Sequence, residues 1–315
     1  MRDPPPTLPE RPRERGYVVA GHAIAVARAA PGLHVVATPI GNLGDITLRA
    51  LAVLAGVDLI ACEYTRVTRK LLDRYGIETP LTPYHDHNAA TARPKLLRRL
   101  AEGAAIALVS DAGTPLVSDP GFKLVREARD AGHAVTALPG ASASLAALAI
   151  AGLPTDQFFF GGFLPPKQEA RRARIAELAR IPATLVLYET GPRVAAALED
   201  LAAGLGSREA ALCRELTKLH EEVRRGDLAE LAKSCAQGEV RGEIVLVVGP
   251  PPAQARPADA DVDSLLRRAL ARVSLKDAVG EVALATGLPR RELYQRALVL
   301  AERQNGVDEK DGTPP

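Results

Sequence analysis

Ser110-Asp111-Ala112-Gly113-Thr114-Pro115-Leu116-Val117-Ser118-Asp119-Pro120-Gly121 lies between two segments of different pattern. Ala104 to Val109, before it, is a short unbroken apolar run, as in a strand buried on both faces. Phe122 to Arg129, after it, reads as a helix. The stretch is therefore a strand-to-helix loop built of small residues, two prolines and two aspartates. In open α/β sheets ligands sit outside the carboxyl ends of strands, in loops of this kind. Gly113 and Pro115 are expected to hold an exposed turn that a ligand can approach closely.

Two further loops repeat the arrangement. Thr38 to Thr47 follows a strand at 33–37 and leads into a helix from Leu48. Pro139-Gly140-Ala141-Ser142-Ala143-Ser144 follows a strand at 133–138 and leads into a helix from Leu145. With a further strand at 57–62, residues 33–153 read as an N-terminal α/β domain with a parallel sheet. Gly152-Leu153-Pro154-Thr155 breaks the pattern. A second α/β domain spans 154–249, with strands around 158–160, 184–188, 210–214 and 244–248. A Pro/Ala linker at 250–261 leads to helices over 262–304 and a polar tail at 305–315. There is no G-x-G-x-x-G after the first strand and no G-x-x-x-x-G-K-[ST], which disfavours a dinucleotide fold and a P-loop enzyme.

The composition is that of a globular protein, 47% hydrophobic and 25% charged, with a net charge of only +2. Total charge thus points to no nucleic acid; local clusters must do so. Cys62, Cys213 and Cys235 are too scattered for a disulfide framework or a metal site, which suggests a reducing compartment. No run is long and apolar enough for a membrane span. Residues 11–30 sketch a secretory signal, but His22 and Arg28 interrupt it. His85-Asp86-His87-Asn88 suggests a metal, with both imidazoles on one side of a strand. No further ligands at suitable spacing complete it, so no metal is expected.

The three loops, in this order, resemble those of the ribosomal RNA small subunit methyltransferase I family, of the tetrapyrrole methylase superfamily. Further matches are Glu63 to Thr68, His85 to Asn88, Gly162 to Lys167, Tyr188-Glu189-Thr190, Arg214 to Lys218 and Arg241-Gly242-Glu243. The resemblance begins near Leu33, so residues 1–32 are expected to be disordered or a mis-annotated extension. It implies two α/β domains of the tetrapyrrole methylase type, a parallel sheet plus a mixed sheet, with a small C-terminal helical domain. It also implies a cytoplasmic homodimer that uses S-adenosyl-L-methionine to methylate the 2′-hydroxyl of a cytidine in small-subunit ribosomal RNA. The cofactor positions carried over are Pro39, Ser110, Asp111, Ala112, Gly113, Pro115, Ser118, Pro139, Gly140, Ser142, Tyr188 and Cys213. The family pattern has Asp where Tyr64 stands and His where Val67 stands.

Methyl transfer to a hydroxyl calls for in-line positioning, a base and a stabilising cation. Glu63, Asp86 and Glu189 are the candidate bases or orienting groups, and Arg66, Arg214 and above all Lys218 the candidate cations. Arg66, Arg171, Arg172, Arg214, Arg290, Arg291 and Arg296 are expected to meet RNA. From Ser264 to Gln304 there are eight basic residues against four acidic ones. The pattern there is helix, short Gly-containing turn, helix, as in a helix-turn-helix unit. That basic domain favours RNA over the nearest alternative, a tetrapyrrole of the precorrin type. A non-catalytic RNA-binding relative is the other alternative.

Overall fold

The structure, a computed structural model, describes residues 15–252 and 259–308. The proline-rich start, the core of the expected linker at 253–258 and the tail from 309 lie outside the described residues. The chain divides after Pro251 into a large α/β unit and a small helical one.

The large unit opens on a hairpin, β1 (Gly16–Val19) and β2 (His22–Ala25), paired antiparallel. This corrects the expectation that residues up to 32 are disordered. Tyr17 is buried in the core beneath the first helix. Arg15 donates to Val57 O at 2.9 Å and, with Arg28, pairs with Asp58 at 2.8 and 2.6 Å. Asp58 also accepts from Ala105 N at 2.9 Å, which ties the hairpin to the central strand of the sheet.

The first lobe alternates β3 (Gly32–Val36), α1 (Leu48–Gly56), β4 (Leu59–Cys62), α2 (Thr65–Arg74), β5 (Leu81–Pro83), α3 (Ala89–Ala101), β6 (Ala105–Val109), α4 (Phe122–Asp130), β7 (Val135–Leu138) and α5 (Ala143–Ile150). Its sheet is parallel throughout, in the order β5-β4-β6-β3-β7. Alternation along β6 sends Ala105, Ala107 and Val109 to α1 and α2, and Ile106 and Leu108 to α3 and α4. Both faces are covered, which is why this strand reads as unbroken apolar sequence. β3 and β6 are neighbours whose onward connections cross each other to opposite edges. Their carboxyl ends form a topological switch point.

The second lobe comprises β8 (Phe158–Phe163), α6 (Gln168–Leu178), β9 (Thr184–Thr190), α7 (Gly191–Leu205), β10 (Glu209–Arg214), β11 (Glu222–Asp227), α8 (Leu228–Ala236) and β12 (Glu243–Val248). Its order is β11-β10-β12-β9-β8, with only β8 and β9 parallel. One face packs under α6, α7 and α8. The other, carrying Val186, Ala211, Cys213 and Val247, packs against α5 and Ile40 of the first lobe. The lobes thus share a core.

Besides the hairpin, two strands escaped the sequence reading. β5 holds Pro83 and β11 reads Glu-Val-Arg-Arg-Gly-Asp, and both are edge strands, where prolines and charges are tolerated. His85 to Asn88 form a turn rather than a strand. Arg171 is a further correction. It is buried and paired with Asp200 at 2.7 Å, so it faces the core and not RNA. Arg172, more exposed, binds the other oxygen of Asp200 at 2.7 Å.

The helical unit is α9 (Asp259–Leu270), α10 (Leu275–Thr286) and α11 (Arg290–Asp308) around Val262, Leu266, Val279, Val282, Leu293 and Leu300. Ser274 caps α10 and Gly287 ends it in a left-handed conformation.

Two stability measurements check these pairs. Arg171→Ala leaves Asp200 buried without its main partner, and urea unfolding should show a loss of about 3–5 kcal/mol. The Arg28 hydrogen bond, foremost, holds the Asp58 carboxyl well below its ordinary range. Its contribution is therefore present above the unfolded carboxylate value, about 4, and is lost as pH falls further. Asp58→Asn should cost about 1–2 kcal/mol at pH 7, and the gap to the parent protein should close in acid.

Candidate active site

The loops after β3 and β6 are joined to each other. Thr38 N donates to Gly113 O at 2.9 Å, and Gly113 N to Thr38 O at 3.0 Å. The Thr38 hydroxyl donates to Ser110 O at 3.1 Å. The Ser110 hydroxyl lies 3.2 Å from Ala112 O and 3.3 Å from Gly113 O. Gly113 has φ +79°, and a Cβ there would meet Ile40 at 3.4 Å. Gly113 and Pro115 are buried, not exposed as expected. The left-handed backbone there calls for glycine.

Beside this knot lies a cleft of about 280 Å³. Asp111, Ala112, Gly113, Ser118, Asp119 and Ser142 line it from the first lobe; Phe163, Tyr188, Cys213, Leu216, Lys218 and Val245 line it from the second. Seven of the expected cofactor positions are therefore together: Asp111, Ala112, Gly113, Ser118, Ser142, Tyr188 and Cys213. Pro39, Ser110, Pro115, Pro139 and Gly140 are not on the wall. Ser110 shapes the knot, and Gly140 lies where a Cβ would press on that of Ala37 at 2.9 Å. Asp119, Phe163, Leu216 and Ile40 line the cleft without having been singled out, although all four lie within stretches already quoted.

One wall is apolar and aromatic. Tyr188 meets Phe160 edge-on at 4.9 Å and Phe163 at 5.5 Å. Burial raises the Tyr188 hydroxyl, and pushes the Cys213 thiol up to about 11, so that thiol stays protonated and inert. The other wall is acidic. Burial raises both Asp111 and Asp119, and neither has an ion pair among the described residues. Glu63, nearby, is raised first by burial and then by the charges of Asp111, Asp119 and Asp86.

The lobes close around the cleft. The stem of Lys218 lies on Gly41, where a Cβ would collide with it. Ser118 Oγ would sit 3.3 Å from a Cβ at Gly162. Leu116 and Ser118 on one side, and Glu215 and Thr217 on the other, have φ of +75°, +65°, +49° and +66°. Four non-glycine residues thus hold a costly backbone in the two loops bordering the cleft.

Three other candidates are corrected. Glu189 borders the cleft, but strand alternation turns its side chain to the opposite face, with Leu185 and Leu187. There it accepts from Thr190 N at 2.9 Å and pairs with Arg193 at 3.2 Å. Arg214 is paired with Glu222 at 3.0 Å, and Arg296 with Asp263 at 2.9 Å, so neither charge is open for RNA. Lys218 does reach the cleft, but its ammonium bonds Glu215 and Glu243, both at 2.8 Å. Burial works against that charge, yet these bonds hold it above its ordinary value. Asp86 is exposed in the turn before α3, and Arg66, Arg290 and Arg291 are exposed with no ion pair among the described residues. No group of three or more His, Cys, Asp or Glu among those residues is placed to hold a metal ion. No described helix is long and apolar enough to cross a membrane.

A parallel lobe and a mixed lobe enclosing a cleft at the switch point define the Tetrapyrrole (Corrin/Porphyrin) Methylases, whose family profile matches residues 32–232. The RsmI C-terminal HTH domain matches residues 256–301. Ribosomal RNA small subunit methyltransferase I of Mesorhizobium japonicum is 51% identical over 88% of this chain and 95% of that protein. The protein of the same name from Erythrobacter litoralis is 54% identical over 86% of this chain and 95% of its own length. The chain belongs to this ribosomal RNA small subunit methyltransferase I family, and is a methyltransferase. Among solved structures, uroporphyrin-III C-methyltransferase from Thermus thermophilus, complexed with S-adenosylhomocysteine, is similar with a TM-score of 0.50. It is 20% identical and covers 69% of this chain and 97% of that one, a likeness of fold alone.

The knot makes a checkable demand. Gly113→Val forces a β-branched residue into a left-handed conformation, at a cost of about 1–2 kcal/mol or more. Titration calorimetry with S-adenosylhomocysteine should show binding lost, while circular dichroism shows a folded protein with a lowered melting temperature.

Proposed function

We propose that the cleft holds S-adenosylmethionine, and that the protein methylates the 2′-hydroxyl of a cytidine in small-subunit ribosomal RNA. The observation that carries this is the pairing of an aromatic wall with carboxylates that have no cationic partner. Such a cleft fits a ligand with a flat apolar end and a positive charge near its middle. The names of the relatives at about half identity support the RNA. Bound S-adenosylmethionine supplies a methyl group on a positively charged sulfur.

The residues of this chain do the rest. Tyr188 and Phe163 offer faces against which an adenine can lie. Asp111 and Asp119 would attract the cofactor's positive charge into the cleft. The ribose hydroxyl is a weak acid and needs a proton acceptor as its oxygen attacks. Glu63 has that role, because burial and its acidic neighbours raise its proton affinity towards the working pH. Asp86 acts through that field. Lys218 stays protonated and, through Glu215 and Glu243, fixes the cleft's edge rather than taking a proton. Arg290 and Arg291 meet phosphates from the helical unit. The protein works in the cytoplasm as a homodimer, and the exposed Phe122, Leu145 and Phe158 are apolar surface that a second copy can cover.

Four measurements test this reading. Purified protein with S-adenosylmethionine should place one alkali-resistant, 2′-O-methylated cytidine in small subunits or their RNA from a strain lacking the enzyme. No transfer to either would refute it. Glu63→Gln should lower kcat by about 10²-fold while leaving donor affinity within a few-fold. In the parent protein the rate should rise with pH through the raised carboxyl value of Glu63, then level off, because only the ionised form accepts the proton. A chain ending at Pro252 should bind the donor normally, with RNA affinity weaker and less salt-dependent.

A further inference from the structure

Tyr64 stands at the N-cap of α2 and is 58% exposed. Its ring stacks on the imidazole of His85, with centroids 6.5 Å apart and planes 20° from parallel. His87 meets His85 edge-on at 6.0 Å. The tyrosine is thus backed by one ring, which is itself propped by another, and it presents a large area to solvent. Its position is fixed from the cleft, since Tyr64 N donates to the Asp111 carboxylate at 3.1 Å. Asp111 is on the cleft wall. The exposed ring therefore sits one residue contact from the site of methyl transfer.

The helix that begins there is mainly basic, with Arg66, Arg69, Lys70 and Arg74 against the single acidic Asp73. Thr68, Leu71 and Leu72 form its buried face. Arg66, Lys70 and Arg74 recur every fourth residue along the exposed side. None of them has an ion pair among the described residues. Most other arginines around the cleft and the second lobe do have one, including Arg172, Arg193, Arg214, Arg224 and Arg241. An unneutralised cationic stripe leading to an exposed, supported aromatic ring is the pairing that single-stranded nucleic acid requires. Phosphates follow the charge and a base lies on the ring.

We propose that Tyr64, backed by His85, is a stacking platform for the unpaired RNA base next to the methylated nucleotide, with Arg66, Lys70 and Arg74 on the neighbouring phosphates. This rests on the reading of the cleft as a ribose methyltransferase site. It makes Tyr64 a substrate-positioning residue. The platform holds the strand so that the adjoining ribose hydroxyl points past Asp111 into the cleft. Stacking tolerates any base, so the platform adds affinity and register more than sequence choice.

The test uses the full chain with S-adenosylmethionine and undermethylated small-subunit RNA. Tyr64→Ala should raise KM for RNA about tenfold or more, with kcat within about twofold and donor affinity unchanged. Tyr64→Phe, which keeps the ring, should restore the parent KM; a merely structural tyrosine would show no such split. Should the alanine variant not fold, Tyr64→Leu keeps the bulk without a π face and gives the same readout. Binding of a short single-stranded RNA with 2-aminopurine beside a cytidine should quench its fluorescence in the parent and in Tyr64→Phe, but not in Tyr64→Ala. Arg66→Gln and Lys70→Gln should each reduce the salt slope of RNA binding by about one. An active parent whose Tyr64→Ala variant keeps its KM and its quenching overturns the platform. A parent that transfers no methyl overturns the methyltransferase reading instead, and the quenching comparison then decides the platform by itself.

Discussion

Two backbone hydrogen bonds between Thr38 and Gly113 hold the working part of this molecule together. They join the ends of adjacent parallel strands whose chains then depart in opposite directions, at the one place where such a sheet must open a crevice. Because the bridge is made of backbone, it constrains dihedrals more than side chains. Gly113 must be left-handed, and the Ser110 hydroxyl must turn inward to the carbonyls it supports. Asp111 is left facing outward, where its carboxylate serves both the cleft wall and the amide of Tyr64. The cleft wall at Asp111 and the placing of Tyr64 are thereby set by a single turn.

The cleft is energetically expensive. Glu63, Asp111 and Asp119 gather carboxylates in partly buried surroundings, and each is raised by the loss of water around it. A stability-driven sequence would place an arginine among them, as it does at Asp200 and Glu222. The strained backbone at Leu116 and Ser118 lies in the loop of Asp111 and Asp119, and that at Glu215 and Thr217 in the loop that borders the cleft from the second lobe. Apart from Ala20 in the hairpin, the left-handed non-glycine residues gather on the two sides of the cleft, where local cost is concentrated.

Much of this was legible in the amino-acid sequence. The β/α alternation and the three small-residue loops located the parallel lobe and its active edge, because fully buried strands and strand-end loops have local signatures. The β5 and β11 strands did not, since edge strands carry prolines and charges that read as turns. The hairpin at 16–25 was hidden because its ordering comes from Asp58, distant in sequence. Glu189 and Arg171 were misread for another reason. A motif gives the residue but not the side of the sheet or helix it occupies, and a one-residue phase decides between cleft and core. Arg214 and Arg296 failed similarly, as a cation's partner across a sheet or bundle has no sequence spacing. The aromatic contact of Tyr64 with His85, from two different loops, is equally silent in one dimension.

The strand order of the second lobe has a consequence for its birth. β12 lies between β10 and β9, which do not pair with each other, and it is the last strand of that sheet to be synthesised. While the ribosome is still short of Val248, Tyr188 and Cys213 belong to separate fragments, and α5 has no finished surface to cover. The second sheet can close only by late insertion of a central strand, after the parallel lobe has had time to form. A nascent chain therefore has no donor pocket until nearly the whole α/β unit is made. That delay keeps a partly built enzyme from holding its cofactor.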